Sequence, residues 1–458
     1  MKNYRFSRTY IAAFMYRFAF LLFVPFLQGL LFADQGIFKL FTLYGTDLAV
    51  VVFLLAVAIV RYKKGRAQLD EHNILIKKGA LLQVCDSFSL GGKLCITFTE
   101  TLLLRIFRAS RMKVFAGTAY GDAYLGRDSC KDILSKYKNK DVKIFASGIF
   151  RSLLMSVSFS NALTGLLAAV PILRRASVLI GARQTALILQ GAELPPWLRL
   201  KSLPPALSKF STFLLFAWII GMSTEFFREY RLRFYLSETF FRIEKGLMTR
   251  TKVIFSRKSI QAVATTQSLM MFLLGLYSMR IYLNSRPVGK LHIMSASSRS
   301  RCDDLEAELF GTNQSPALTL KPCEKALFAY TWLPLTLLLI ISVIRIISPD
   351  LIIILIFFAT FGTICLIWIF FRIFSLYTSF VRIKGGIIEV RFYKGLNFVR
   401  TVFEAEKLNA VEVRQSLFQR INKRCSLVFS LKGTKSLKIK IKHLDKSLAI
   451  KLVSNIYP

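Results

Sequence analysis

The sequence predicts an integral membrane protein in which six helical spans, arranged as three hairpins, carry three small β-barrel or β-sandwich modules, each with a C-terminal helix. Of the 458 residues, 54% are hydrophobic, and they are concentrated in blocks long enough to cross a bilayer. Short strand-like pieces recur after each pair of blocks. The formal net charge is +38, so the segments outside the blocks are strongly basic and suit an acidic partner such as anionic lipid.

The six apolar blocks are each close to the roughly 20 residues that a hydrocarbon core of about 30 Å requires. They lie at 11–32, 43–60, 150–173, 210–227, 326–347 and 351–371. Only Ser348-Pro349-Asp350 separates the last two blocks, which predicts a tight helical hairpin. The first block has no small-residue cleavage pattern and a second block follows at once, so we interpret it as a retained anchor.

The basic residues beside the spans predict the topology. Arg61, Lys63 and Lys64 close the second span, whereas the short loops 33–42 and 348–350 hold a single positive residue, Lys39. The positive-inside rule then predicts a multi-pass cell membrane protein whose N-terminus and three modules all lie in the cytoplasm. The loop 174–209 is basic although this topology places it outside, and a helix lying in the interface is the alternative.

This topology predicts a regular domain order. The transmembrane pairs occupy 1–60, 150–227 and 326–371, and the modules occupy 61–149, 228–325 and 372–458. Helix candidates at 130–137, 303–309 and 445–456 end the three modules.

The modules share a pattern: a glycine turn, then apolar-Gln-x-Val, then Gln-Ser, then an apolar-basic run. The pieces between these points are β-branched or aromatic and bounded by Gly, Asn and Ser, which predicts antiparallel strands. Module one is degenerate, with Glu100-Thr101 for Gln-Ser and Arg108 where a glycine is expected. The pattern residues of module two are Gly246, Ile260, Gln261, Val263, Gln267, Ser268 and Gly275, and those of module three are Gly386, Gln415 and Ser416.

In these residues the sequence resembles the bacterial pleckstrin-homology-like (bacterial PH) domain membrane proteins, in their multi-spanning form with three tandem modules. The resemblance, including the spans between the modules, covers nearly the whole chain. It implies a pleckstrin-like barrel with a C-terminal helix in each module and a place in the bacterial cell membrane. It implies no reaction, because fold analogy carries function only loosely.

The chemistry of the chain predicts a protein that is not an enzyme. The sequence contains no G-x-x-x-x-G-K-[ST], no G-x-S-x-G and no H-E-x-x-H motif. Its seven cysteines form no C-x-x-C pair, and its three histidines are isolated. We therefore predict no catalytic residue, no cofactor and no metal site.

Three basic clusters are candidate contacts for anionic lipid, which attracts juxtamembrane Lys and Arg by about 1 kcal/mol each. The alternative is that these charges only set topology and solubility. The clusters are Arg105, Arg108 and Arg111; Arg250, Lys252, Arg257 and Lys258; and Arg420, Lys423 and Arg424.

The predicted function is a non-enzymatic, membrane-anchored scaffold whose modules bind partner proteins, each other or the anionic inner leaflet. A sheet edge that accepts a partner strand is one route to protein binding or self-association. No nucleic-acid module is recognisable. The alternative from another class is a transport or export component that protects the envelope against toxic peptides.

Overall fold

The computed structural model describes residues 2–16, 37–70, 73–79, 82–89, 94–117, 119–137, 142–159, 205–284, 290–311, 318–347, 352–394, 397–433 and 437–456. Side chains are described throughout these ranges except at 37–48, 205–214, 352–358 and 360.

One series of elements occurs three times along the chain, and we call each series a run. A run has one strand, a helical segment, four strands, a five-residue helix, two strands and a closing helix. Run one consists of β1 (Lys2–Arg5), α1 (Ile37–Lys64), β2 (Arg66–Leu69), β3 (Asn73–Lys78), β4 (Val84–Ser89), β5 (Leu94–Glu100), α2 (Leu102–Ile106), β6 (Ala109–Ala116), β7 (Ala119–Gly126) and α3 (Arg127–Lys136).

Run two consists of β8 (Lys143–Ala146), α4 (Ile149–Phe159), α5 (Pro205–Glu229), β9 (Arg233–Leu236), β10 (Phe240–Lys245), β11 (Arg250–Ser256), β12 (Ile260–Ser268), α6 (Leu269–Leu273), β13 (Tyr277–Leu283), β14 (Lys290–Ser297) and α7 (Arg299–Phe310). Run three consists of β15 (Leu318–Leu320), α8 (Leu327–Ile347), α9 (Ile352–Thr378), β16 (Phe380–Lys384), β17 (Ile387–Lys394), β18 (Asn397–Glu404), β19 (Leu408–Arg414), α10 (Leu417–Ile421), β20 (Arg424–Leu431), β21 (Lys438–Asp445) and α11 (Lys446–Ile456).

The chain divides into two compact units with antiparallel sheets. Unit 1 is Met1–Ile149 with Ser223–Ser259, and unit 2 is Phe150–Met222 with Ile260–Pro458. Unit 1 contains a four-stranded sheet, β1-β2-β3-β4, and a seven-stranded sheet, β7-β6-β5-β11-β10-β9-β8. Unit 2 contains a seven-stranded sheet, β14-β13-β12-β18-β17-β16-β15, and a three-stranded sheet, β19-β20-β21. Each seven-stranded sheet therefore joins strands of two successive runs.

Alternating sequence explains why these segments form strands with one buried face. In β21, Ile439 and Ile441 are buried, whereas Lys438 and Lys440 between them are exposed. In unit 1 the core side chains of β3 and β4, such as Ile76 and Phe88, pack with those of β5 and α3. Burying one such side chain fully stabilises the fold by about 1.5–3 kcal/mol.

The prediction of six spans in three hairpins is wrong for the part of the chain that the structure describes. Four β-sheets dominate it, and two helical segments, Glu324–Ile347 and Phe361–Thr378, are long and apolar enough to cross a membrane. The predicted spans 43–60 and 210–227 lie in α1 and α5, which over their described residues do not meet the length and hydropathy of a span. The spans predicted at 11–32 and 150–173 lie mostly outside the described residues, as does the loop 174–209 apart from 205–209, which begin α5.

The first strand of each run was missed in the sequence, because it stands alone ahead of a helical segment. β8 and β15 fall in the segments 61–149 and 228–325, yet they pair with β9 and β16 of the following run. Three or four residues carry too weak a period-2 pattern to be recognised without their partner strand. The closing helices expected at 130–137, 303–309 and 445–456 are α3, α7 and α11.

Candidate functional site

The pattern residues of the sequence build the turns and junctions of the sheets. Gly246 turns β10 into β11 with φ +99°, where a Cβ would overlap the carbonyl oxygen of Thr249. Gly386 also has positive φ, at +79°, but it joins β16 to β17. It therefore occupies a different hairpin from Gly246, because the corresponding strands of run three are β17 and β18, which pair as far as Lys394 and Asn397.

The residues after Gly246 in the pattern are mostly buried in β12. Ile260 and Val263 are buried, as is every other residue of this strand, and Val263 stands opposite Val402 of β18. Gln261 donates to the backbone carbonyl of Lys432, and Gln267 is 4% exposed. These side chains are thus buried within unit 2, where they contribute to packing and to the pairing of β12 and are not available to a ligand.

The serines of the pattern cap short helices. Ser268 accepts a hydrogen bond from the backbone N–H of Met271, at 3.3 Å, and so caps α6. Ser416 does the same for α10 and forms a capping box with Gln419. Thr101 caps α2 in the same way. We call α2, α6 and α10 the tip helices.

The tip helices expose large apolar side chains to solvent. In α10, Leu417, Phe418 and Ile421 are 79%, 81% and 79% exposed. Apolar side chains exposed this far, three within one helical turn, form a patch that water disfavours. The corresponding exposed side chains are Leu102, Leu103, Ile106 and Phe107 at α2 and Met270, Leu273 and Leu274 at α6.

Two tip helices lie beside the ends of α8 and α9 in unit 2. The ring of Phe272 in α6 lies 5.5 Å from that of Phe374, near the end of α9. Gln419 of α10 contacts the imidazole Nδ1 of His443 at 3.4 Å, and that ring lies 5.4 Å from the ring of Tyr330 in α8. The tips of α6 and α10 therefore flank the end of the apolar hairpin at which α8 begins and α9 ends.

His443 is neutral at pH 7 in this position. Burial, together with the positive charges of Arg424, Lys442 and Lys440, lowers the pKa of its imidazole to about 4. The neutral ring can accept the amide hydrogen of Gln419, and it adds no charge to the base of the hairpin.

In unit 1 the tip helix α2 is attached to the β10–β11 turn. The Arg105 guanidinium donates to the carbonyl oxygens of Leu247 and Met248, at 2.5 and 2.9 Å. The backbone N–H of Leu247 in turn donates to the carbonyl of Phe227 in α5, at 2.8 Å. Met248 is 51% exposed, so the turn extends the apolar surface of α2.

The three predicted lipid clusters have different fates in the structure. Arg108, Arg250, Arg420 and Lys423 are exposed close to tip helices. Three other members contact groups of the protein itself: Arg105 binds the β10–β11 turn, Arg111 pairs with Asp122 at 2.8 Å, and Lys252 lies 3.5 Å from Glu244. Arg424 is half-buried. Arg257 and Lys258 follow β11 at the end opposite to Arg250, away from the tip helix.

Position 108 stores backbone strain that glycine would relieve. Arg108 has φ +49°, the left-handed conformation that Gly275 adopts at the corresponding place after α6. Because a side chain there costs about 1 kcal/mol, we expect Arg108→Gly to raise the free energy of unfolding by about that amount. Chemical denaturation of the detergent-solubilised protein measures the effect. Arg108→Ala, which removes the side chain without relieving the backbone, is the control, and equal stability of the two variants would contradict the prediction.

A cluster of charges that sequence reasoning missed lies between α7 and the second seven-stranded sheet. Arg400 of β18 donates to Glu389, Asp303 and Glu306 at 2.5, 2.9 and 3.1 Å. The cleft around it has a volume of about 400 Å³ and includes Arg299. Burial lowers the pKa of Arg400, but Glu306 and Glu389 outweigh it and the net shift is upward. No motif in the sequence marks this cluster, because its members are far apart along the chain.

Burial affects Glu306 in the opposite sense. It raises the pKa of this carboxyl to about 7, although Arg400 opposes the shift. The Arg400 guanidinium thus offsets the effect of burial on the pKa of Glu306 only in part. In the described ranges, no group of three His, Cys, Asp or Glu side chains is placed to bind a metal ion.

Comparison with known proteins identifies one segment of the chain. Residues 184–311 match the Bacterial PH domain family. The matched segment contains β9–β14 and ends one residue after α7. It covers little more than a quarter of the chain, and it includes the segment whose pattern is most complete, from Gly246 to Gly275.

The other comparisons add no argument about this segment. No curated protein matches the chain. Among solved structures, the DNA polymerase III subunit beta sliding clamp of Bartonella birtlesii is 12% identical, with a TM-score of 0.08 over 50% of this chain and 75% of the clamp. The same clamp bound to griselimycin is 11% identical, with a TM-score of 0.08 over 51% of this chain and 75% of the clamp. Similarity this low supports no inference about fold.

Proposed function

We propose that the chain is a membrane-anchored scaffold in which the α8–α9 hairpin enters the bilayer and the tip helices bind the anionic inner leaflet. The threefold series of strands supports three PH-like modules, of which the family match covers the second. The observation that carries the proposal is the place of α6 and α10: their exposed apolar side chains flank the end of an apolar hairpin. A tip at that level would meet the membrane interface.

Charge and side-chain chemistry both suit an anionic surface. At α10, exposed Arg420 and Lys423 stand beside Leu417, Phe418 and Ile421. Each basic side chain near such a surface contributes about 1 kcal/mol, and the apolar side chains add burial in the acyl boundary. At the base of the hairpin, Trp332 and Tyr377 are half-exposed, as aromatic residues often are at membrane interfaces. No observation in the described residues favours the transport alternative.

The test places a fluorescent probe on a tip of the full-length protein in vesicles. Ile421→Cys, in a background where exposed Cys85 is replaced by Ser, receives an environment-sensitive fluorophore. We expect blue-shifted emission and quenching by lipids brominated near the headgroup, stronger in phosphatidylglycerol-containing vesicles than in pure phosphatidylcholine. We expect Lys423→Glu to weaken the quenching, because each reversed charge loses about 1 kcal/mol of attraction and gains repulsion.

The matched control carries the same fluorophore at Ser454→Cys, an exposed position on the closing helix α11. We expect that probe to stay in water in both lipid mixtures. Equal emission and equal quenching at positions 421 and 454 would contradict lipid binding by the tip. Quenching that is strong at 421 but independent of lipid charge would contradict the role of the basic residues.

A further inference from the structure

Two junctions between successive runs share one geometry. In unit 1, β5 of run one pairs antiparallel with β11 of run two, with Ile96 opposite Ile254. In unit 2, β12 of run two pairs with β18 of run three, with Val263 opposite Val402. Each junction therefore joins the fifth strand of one run to the fourth strand of the next.

The register of the two junctions is also the same. Ile96 and Val263 both stand five residues before the cap of a tip helix, Thr101 or Ser268. Their partners both directly precede a buried phenylalanine, Phe255 or Phe403. A shared register is informative, because slipping one strand by a single residue would move all of its side chains to the other face of the sheet.

The two junctions use the fifth strand of runs one and two and the fourth strand of runs two and three. The fourth strand of run one and the fifth strand of run three therefore remain, and each is a sheet edge without a second partner strand in the described residues. β4, the fourth strand of run one, pairs only with β3, and β19, the fifth strand of run three, pairs only with β20. Every residue of β12 is buried, but only Leu408 of β19 is. In β4 only Phe88, the counterpart of Phe255 and Phe403, is buried. Exposed backbone N–H and C=O groups at such edges are templates for another strand.

We propose that β19 of one copy of this chain pairs antiparallel with β4 of a second copy, in the register of the two internal junctions. Counting from Ser416 and from Phe88 places Val411 opposite Ser87 and Val413 opposite Cys85. Strand addition of this kind draws affinity from main-chain hydrogen bonds. The proposal does not depend on lipid binding by the tips.

Arg420 supplies a second observation that points to the same partner. It is the fourth residue of α10, as Arg105 is of α2. Arg105 donates to carbonyl oxygens in the turn that leads into β11, the strand paired with β5. Arg420 is exposed, and in the proposed pairing it would face the turn that leads into β4 of the second copy. Leu82 in that turn is 85% exposed, so apolar surface would also be covered.

The register places two acidic residues opposite each other, and their repulsion lowers the affinity of the two copies for each other. Glu412 would face Asp86, and like charges directly opposite destabilise a strand pair. Each acid already has a basic neighbour on its own copy, because Lys78 lies 2.7 Å from Asp86 and Arg414 lies 2.5 Å from Glu412. The pairing is consequently sensitive to charge at this position, which makes it testable.

Pairing of two different edges gives a head-to-tail assembly. Each copy offers one β4 edge and one β19 edge, so the contact is heterologous and can repeat from copy to copy.

The experiment is disulfide trapping between two differently tagged full-length chains that are co-expressed. One chain keeps the natural Cys85, which is exposed, and the other carries Cys85→Ser with Val413→Cys. Val413 is 40% exposed, so this substitution leaves the core intact. Opposed residues of antiparallel strands lie about 4.5–5.5 Å apart, within disulfide reach. After mild oxidation we expect a disulfide-linked pair of the two tags, with Cys85 joined to position 413 by peptide mass spectrometry.

Three further variants test the register and the control position. Cys85→Ser with Ser454→Cys in the second chain should give only background cross-linking. Glu412→Lys in the Val413→Cys chain should raise the yield several-fold, because it places opposite charges across the pair, and Arg420→Ala should lower it. Cross-linking at 413 no stronger than at 454 would overturn the proposal. Unchanged yields in both Glu412→Lys and Arg420→Ala would overturn the proposed register.

Discussion

Replacing Arg400 by alanine is expected to lower the free energy of unfolding of this protein by about 3 kcal/mol, because it removes the cation that pairs with the mostly buried Glu306 and the nearest cation of Glu389 and Asp303. Arg400 donates to Glu389, Asp303 and Glu306 at distances between 2.5 and 3.1 Å. The guanidinium groups of Arg382 and Arg299 lie farther away, each 3.6 Å from Glu389 and Asp303 respectively. The three acidic partners of Arg400 come from β17 and α7, so the loss would separate the closing helix of run two from the sheet. Denaturant titration in detergent, followed by circular dichroism, measures the change.

Glu306→Gln is the matched control for Arg400. The folded pKa of Glu306 is raised to about 7 from 4.5. Protonation therefore stabilises the fold fully below pH 4.5, and this contribution is lost as the pH rises through about 7. The glutamine keeps an acceptor for Arg400 and cannot ionise, so we expect this variant to be as stable as the native protein or more so at pH 8, with a flatter pH profile. A loss at pH 8 as large as that of Arg400→Ala would contradict this account.

The second large effect is expected at the buried pair Lys245–Glu229 in unit 1. The ammonium Nζ lies 2.7 Å from Glu229 Oε1, and the two side chains are 7% and 2% exposed. Lys245→Met would leave Glu229 with only the Nε of Arg228, at 3.9 Å. We expect a loss of about 3–5 kcal/mol in the free energy of unfolding, since an uncompensated buried carboxylate is costly.

The double variant Lys245→Met with Glu229→Gln separates charge from packing. It removes both charges and keeps side chains of similar size, so we expect it to recover most of the lost stability. Thermal unfolding of the single and double variants under one detergent condition gives the comparison. A double variant as unstable as Lys245→Met alone would show that the methionine, and not the unpaired charge, causes the loss.

Local chemistry made a good part of the fold predictable. A serine before an apolar turn caps a helix wherever it stands, and Ser268 and Ser416 cap α6 and α10. Gly246 and Gly275 have the positive φ that their turns require. The sequence pattern includes the apolar-basic runs after these serines, but it does not predict that their apolar side chains are exposed beside the ends of α8 and α9.

Long-range contacts decided what the sequence could not predict. Six apolar blocks indicated six spans, yet only two helices among the described residues meet the length and hydropathy of a span. Gly386 resembles Gly246 in its neighbours but lies in another hairpin, because strand order and not local sequence sets the correspondence. The cluster around Arg400 joins residues 97 positions apart, and no local pattern announces such a contact.

The sequence by itself therefore predicted the glycine turns, the strand-forming segments after the helical segments and the closing helices, because these depend on φ preferences and on periodicity over a few residues. Only the tertiary structure decided which strands pair. Backbone N–H and C=O groups are the same in every strand, so the choice of β11 by β5 and of β18 by β12 comes from packing of distant side chains. The same physics leaves β4 and β19, at the two ends of the series of junctions between runs, as edge strands of their sheets.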